Sequence, residues 1–286
     1  MSDRTRPQFG DVDTWGLTHR GKVRPENQDH FFLGSLVRGA QVDQASVTEG
    51  GGRLIHPVRL ASLGVVADGV GGSDGGEEAA RRAVEELVSS VSTFFHEAEL
   101  READEPELFS RLLHDAVLAV HESLLEKAKK EGGENGFATT LTLFLGLWPH
   151  AYLLQVGDSR CYIFQAGELT QITRDQTLAQ EFVDQGVMTR TKAEKSRWAH
   201  VLSSAVGGRQ AEPVVTRVVR ERGAVVLLCS DGLTKHVSDD QIRERLTSMT
   251  SSRQVAEQLL KDALDDGGTD NISMIVGRTL PPAEGQ

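Results

Sequence analysis

The order of its apolar patterns constrains this chain more than anything else in it. Short runs dense in Val, Leu and Ile fall at residues 60–67, 139–147, 151–156, 161–164, 214–219, 224–229 and 272–276, all of strand length. Between the first two runs the apolar residues change period. Ala79, Ala80, Ala83, Val84, Leu87, Val88, Val91 and Phe95 recur at helical spacing, as do Leu112, Leu113, Ala116, Val117, Val120 and Leu124. Ser238-Asp239-Asp240-Gln241 reads as a capping box that opens a third helix, and residues 252–264 form a fourth. Helices therefore come in two pairs, and the strands are not each followed by one. A doubly wound parallel sheet, which alternates strand and helix, does not fit. The pattern predicts an α+β protein with antiparallel layers.

Neither a repeat nor an interdomain linker interrupts the 286 residues, so a single domain over 1–286 is expected, with its core at about 16–277. The polar stretch 39–57, with Gly50, Gly51 and Gly52, reads as an irregular surface insertion. Residues 177–200 are charged and weakly periodic, as in a small helical flap. The longest apolar run, 140–148, is far short of the ~20 residues that cross a bilayer. Residues 1–10 are too polar for a secretion signal, which points to a cytoplasmic monomer without a membrane partner. Cys161 and Cys229 lie in apolar strands and read as core thiols. A formal charge of −11 repels a nucleic-acid backbone and leaves the question of what the surplus carboxylates do.

Five aspartates share one context. Asp29, Asp68, Asp158, Asp231 and Asp270 each stand at or near a strand end beside glycine or another small residue. A strand end delivers a side chain rigidly, and glycine admits a close neighbour. An isolated Asp-Gly is an ordinary turn, but five in the same setting suggest convergence. Carboxylates crowded at one sheet edge repel, by about 4 kcal/mol per pair at an effective dielectric of 20. Oxygen-only ligation would relieve this with Mg²⁺ or Mn²⁺ rather than zinc.

The pieces 24–29 (RPENQD), 68–72 (DGVGG), 136–140 (GFATT), 157–160 (GDSR), 230–233 (SDGL) and 268–273 (GTDNIS), in this order and spacing, resemble the bacterial branch of the PPM, or PP2C-like, metal-dependent serine/threonine protein phosphatases. The resemblance runs from about residue 16 to 276. It implies an α-β-β-α sandwich of two antiparallel sheets flanked by helix pairs, with two Mn²⁺ or Mg²⁺ ions at one end and room for a third. On that template Asp68 bridges the two metals with help from the Gly69 carbonyl, and Asp231 and Asp270 bind the first. Gln28 sits on the second-metal side, and Asp158 with Asp231 forms the third site. Asp29 supports the water network, and Arg24 binds the substrate phosphate. A metal-bridging hydroxide would then attack phosphoserine or phosphothreonine without a phosphoenzyme, on proteins phosphorylated by a serine/threonine kinase. The chain departs from its relatives at Val70 and Ser73, where histidines are found, at Gln28 in place of glutamate, and at Arg174-Asp175-Gln176-Thr177 in the flap. Those changes leave the general acid unassigned.

Other chemistries fit less well. A cysteine phosphatase needs arginine six residues after its cysteine, where this chain has Gly167 and Lys235. Asp11-Val12-Asp13-Thr14 lacks the preceding apolar strand of an aspartyl-phosphate nucleophile and reads as a solvated strand or loop. The glycines from Gly69 to Gly76 match neither nucleotide-loop pattern and instead feed a helix near Glu77. A catalytically silent phosphoprotein-binding scaffold and a phosphatase of small metabolites remain as rivals.

Overall fold

In every inner strand the side chains divide by parity, and this division builds the layers. On the strand that carries Asp68, Leu63, Val65 and Ala67 pack against two long helices, whereas Val66 faces the other way. In the second sheet, Leu227 and Cys229 face one way and Val226 and Leu228 the other. Alternation with period two on strands apolar on both faces requires a covered sheet on each side.

A computed structural model describes residues 6–42, 53–71, 74–101, 105, 107–130 and 137–281. In chain order the elements are β1 (Val12–His19), β2 (Asp29–Val42), β3 (Arg53–Val70), α1 (Asp74–Arg101), α2 (Leu108–Lys130), β4 (Ala138–Thr139), β5 (Leu141–Leu147), β6 (His150–Val156), β7 (Arg160–Gln165), β8 (Glu168–Gln171), α3 (Leu178–Asp184), α4 (Arg190–Glu194), β9 (Val214–Val219), β10 (Val225–Cys229), α5 (Asp231–Thr234), α6 (Asp239–Thr247), α7 (Ser252–Asp265) and β11 (Ile272–Thr279). One sheet runs β1-β11-β10-β7-β8. The other runs β2-β3-β5-β6-β9, with β4 beside β3. All pairs are antiparallel.

Three apolar layers result. Leu87, Phe95, Phe109 and Val117 of α1 and α2 close over β3, β5 and β6. Ile242, Val255 and Leu259 of α6 and α7 close over β10 and β11. Between the sheets lies a thinner layer of Val66, Phe144, Leu153, Cys161, Leu228 and Ile275. The expected α-β-β-α sandwich is the architecture found.

Several local readings match the structure. Ser238 and Gln241 form the reciprocal capping box, the residue 177–200 segment folds into α3 and α4, and both cysteines are buried. Others need correction. Residues 39–42 and 53–57 are not irregular: β2 extends to Val42 and β3 begins at Arg53, so the polar stretch continues a hairpin. Its centre, 43–52, lies outside the described residues. Of the two readings left open for residues 11–14, strand or loop, residues 12–14 take the strand: they open β1, an edge strand on β11 that packs beside α7. The first helix begins at Asp74, three residues ahead of Glu77.

Candidate active site

The acidic strand ends do converge. Asp29 is paired directly across the β2–β3 ladder from Asp68, so one register places two of the five carboxylates side by side. Asp158 follows β6, Asp231 opens α5 after β10, and Asp270 precedes β11. Arg24, Gln28, Asp68, Gly69, Asp158, Asp231 and Asp270 all line one cleft of about 1010 Å³ at this end of the sandwich. Asp29, only 2% exposed, lies beneath its floor.

Backbone bonds fix these positions. The Asp68 N–H donates to Thr140 Oγ1 at 3.0 Å, and its carbonyl accepts from the Thr140 N–H and the Thr139 hydroxyl, both at 2.9 Å. Gly69 donates to the Gln28 carbonyl at 3.2 Å. A Cβ on Gly69 would stand 2.4 Å from the carbonyl oxygen of Gly76 in α1, so only glycine lets this strand end touch the helix. A Cβ on Gly232 would meet the Asn271 carbonyl oxygen at 1.8 Å, which is how closely the Asp231 and Asp270 loops approach. Asn271 ties a third segment to them. Its Oδ1 accepts from the Gln28 N–H at 2.9 Å, and its Nδ2 donates to the carbonyls of Arg20 (2.9 Å) and Glu26 (2.8 Å).

The crowding shows in the electrostatics. Burial, reinforced by Asp29, Asp231, Asp158 and Asp270, pushes the Asp68 carboxyl well above the usual carboxylate range. Burial lifts Asp29 to about 7 despite hydrogen bonds from Ser230 and Ser273. It lifts Asp158 to about 8, with Asp231 and Asp175 adding to the effect. Burial acts the same way on Asp270, but hydrogen bonds from Arg24 and Lys235 outweigh it and hold this carboxyl below its ordinary value.

Two cations stand among these acids. Lys235 Nζ lies 2.6 Å from Asp231 Oδ2 and 2.7 Å from Asp270 Oδ2. Arg24 forks onto Asp270 at 2.7 and 2.9 Å, rather than pairing with Glu26. Among the described residues no three His, Cys, Asp or Glu side chains already stand as a ligand cluster; Lys235 and Arg24 occupy both oxygens of Asp270 and one of Asp231. The donor set nevertheless fits divalent cations. It is all oxygen, and Asp29 Oδ1 and Asp231 Oδ1 are buried with no hydrogen-bond partner, an arrangement that is costly until a cation compensates it.

Sequence reasoning assigned no role to Lys235 or Asn271. The spacing of Asp231 and Lys235, four apart at a helix, is the local signal for the lysine, and Asn271 stands within the motif 268–273. The unusual flap sequence also has a structural account. Asp175 takes a two-armed hydrogen bond from Arg160 at 2.6 and 2.9 Å. Gln176 Oε1 accepts from the Gly157 N–H at 2.7 Å, while its Nε2 donates to the Glu212 carbonyl at 2.8 Å. Both contacts brace the loop that carries Asp158. Beside it, a second pocket of about 300 Å³ is lined by Asp158, Asp231, Lys235 and the flap residues Gln180, Arg190 and His200.

Comparison with known proteins bears on the whole arrangement. A sequence profile of the family described as protein phosphatase 2C matches residues 55–266. The serine/threonine protein phosphatase PstP of Mycobacterium tuberculosis is 35% identical over 269 residues, covering 93% of this chain but 45% of its own, so this chain spans about half the length of that relative. The serine/threonine phosphatase stp of Listeria monocytogenes is 30% identical over 260 residues, covering 91% of this chain and 92% of its own. The crystal structure of the PstP catalytic domain in complex with two manganese ions superposes with a TM-score of 0.71 at 30% identity, covering 94% of this chain and 99% of that one. Sequence motifs, layered fold and cleft thus lead to one assignment: the chain belongs to the protein phosphatase 2C family.

Proposed function

We propose that this chain is a divalent-metal-dependent phosphatase that hydrolyses phosphoserine and phosphothreonine in proteins phosphorylated by a serine/threonine kinase. The observation that carries this reading is the meeting of Asp68, Asp158, Asp231 and Asp270 in one cleft over buried Asp29. Asp68 would hold both of two Mn²⁺ or Mg²⁺ ions with the Gly69 carbonyl as a further ligand, Asp231 and Asp270 would hold the first, and Gln28 would stand on the side of the second, with Asp158 and Asp231 at a third position. Bound there, the cations would neutralise the carboxylates and make a water acidic enough to supply a hydroxide nucleophile near neutral pH. Lys235, which bridges Asp231 and Asp270, would have to release them for both to act as ligands.

The remaining work falls to the protein. Arg24 is half exposed at the cleft mouth, and its fork, which grips the Asp270 carboxylate, has the geometry to grip a phosphate with two parallel hydrogen bonds. Asp29 accepts from the Ser230 hydroxyl at 2.8 Å through one oxygen and keeps the other buried without a partner, free to support a water network. No side chain need be phosphorylated. The thiols are sealed in the core, and burial pushes Cys229 up to about 12, so neither cysteine is a nucleophile at neutral pH. The cleft, about 1010 Å³, is also lined by Ser203, Arg209 and Glu212, which gives room for a peptide segment as well as its phosphate.

The purified chain with Mn²⁺ is expected to release phosphate from a phosphothreonine peptide and to stop on addition of EDTA. Peptide that binds but is never cleaved in the presence of metal would make the chain a scaffold. Arg24→Ala should raise KM for that peptide by roughly 10- to 100-fold, since a hydrogen bond to a charged group contributes about 1.5–3 kcal/mol. An unchanged KM would remove Arg24 from phosphate binding.

A further inference from the structure

Far from the cleft, two arginines lie between the sheets. Arg59 is nine residues before Asp68 on β3, about 30 Å along the strand. Arg220 directly follows β9. They are 5% and 7% exposed. Arg59 has protein partners: its Nε donates to Ser35 Oγ at 3.1 Å, its terminal nitrogens donate to the Pro7 carbonyl at 3.3 Å and to Ser62 Oγ, and Asp11 attracts it at longer range.

Arg220 lacks such compensation. Its guanidinium carbon stands 4.9 Å from the Phe144 ring centre and 5.9 Å from that of Trp148. Its Nε has no hydrogen-bond partner, and among the described residues no carboxylate pairs with it. Burial draws its pKa down to about 10, and the like charge of Arg59 lowers it further. Guanidinium stays protonated at neutral pH, so the sandwich carries a buried positive charge that aromatic faces offset only in part.

Space adjoins both groups. A cavity of about 270 Å³ is bounded by Arg59, Ser35 and Phe9, the last half exposed at its rim. It shares Val12, Thr14, Leu33 and Ser62 with a smaller recess of about 30 Å³ that is lined by Arg220 and Phe144. The recess at Arg220 is also lined by apolar Val226, Leu228 and Ile275 and by Arg278, which is paired with Asp13, while the cavity at Arg59 sets the hydroxyls of Thr14, Ser35 and Ser62 beside Val12 and Leu33. Cations and hydroxyls mixed with apolar walls match an amphipathic anion better than a bare inorganic one. We propose that this inter-sheet cavity binds a small organic carboxylate, with its oxygens on Arg220 and Arg59 and its hydrocarbon part against Val12 and Leu33.

The site is independent of the phosphatase reading, and so is its test. The full chain loaded with Mn²⁺ is titrated with acetate, butyrate and hexanoate, and with sulfate at matched ionic strength, while melting temperature and binding heat are followed. Butyrate should bind saturably and raise Tm by roughly 3 °C. The response should persist in Asp68→Asn, which alters the cleft, and vanish in Arg220→Met. Without carboxylate, Arg220→Met should melt no lower than the wild type, because methionine fills the slot without a buried charge. The proposal is overturned by the absence of a saturable carboxylate response, by sulfate acting as strongly as butyrate, by a response that survives Arg220→Met, or by a drop of several degrees in that variant. The last result would make Arg220 a structural cation between two rings.

Discussion

Asp68→Asn should lose at least on the order of 10³-fold in metal-dependent turnover while the metal-free protein becomes more stable at pH 8, not less. The two halves of this expectation have separate physical origins. Activity falls because the residue proposed to touch both cations becomes a neutral, weaker ligand. Stability rises because the wild-type carboxylate faces burial and four other acids, Asp29, Asp231, Asp158 and Asp270, all of which disfavour its charge. Nothing that holds the strand end depends on the side chain. The hydrogen bonds to Thr139 and Thr140 use the Asp68 backbone, and Gly69 bonds to Gln28 through its own N–H. Phosphate release and thermal melting in EDTA, measured on the same preparation, check both halves. Turnover within tenfold of wild type would displace the metal centre from Asp68. A lower metal-free Tm would mean that the carboxylate is a structural acceptor.

How far the sequence discloses this molecule depends on how local the causes are. The four major helices are legible because three or more turns of 3.6-residue spacing are written into residues 79–95 and 112–124, and Ser238–Gln241 caps its helix with neighbours only. The inner strands are legible as continuous apolar runs, since β3, β5, β6 and β10 are covered on both faces. The edge strand β1 mixes Asp13, Thr14 and Gly16 with Leu17 because only part of it faces α7, so its strand character comes from pairing with β11, some 260 residues away. Register likewise hides the long arms of β2 and β3 inside a stretch that looks polar and irregular.

The cleft divides in the same way. Aspartate beside glycine at a strand end is a local pattern, and five instances of it led to the residues that the fold gathers. Lys235 is different. A lysine four residues after an aspartate reads as a solvated helix pair, and its second partner, Asp270, reaches it only because Gly232 allows the two loops to touch. Arg59 and Arg220 are more distant still from any local signal. An arginine next to valine, within a strand as Arg59 is or just past one as Arg220 is, looks surface-facing, and the small residues Ser62, Gly64 and Gly146 nearby leave the space that takes the guanidinium groups between the sheets.

The gathered acids also dictate how stability should respond to pH, and the sign is the reverse of ordinary acid denaturation. Asp29 rises to about 7 and Asp158 to about 8 in the folded chain, chiefly through burial, with Asp68 raised alongside them. In the unfolded chain each returns to about 3.9. Between pH 4 and 8 the folded state therefore holds protons that the unfolded state has released, and stability declines as pH rises through this window. Each such carboxyl contributes a slope of about 1.4 kcal/mol per pH unit. Asp270, held below its ordinary value, acts in the opposite direction, but only below about pH 4, outside the window. The metal-free protein should accordingly be most stable near pH 5 and lose on the order of 10 °C in Tm by pH 8. Mn²⁺ should reverse that loss. It competes with protons for the same oxygens, so its stabilising shift should be small at pH 5 and largest at pH 8. Melting curves at pH 5.0, 6.5 and 8.0, with EDTA and with excess Mn²⁺, measure this directly. A metal-free Tm that climbs with pH, or a Mn²⁺ shift of the same size at both ends, would mean that the carboxylates are already compensated within the protein, with Lys235 and Arg24 serving as their permanent counter-ions instead of yielding to metal.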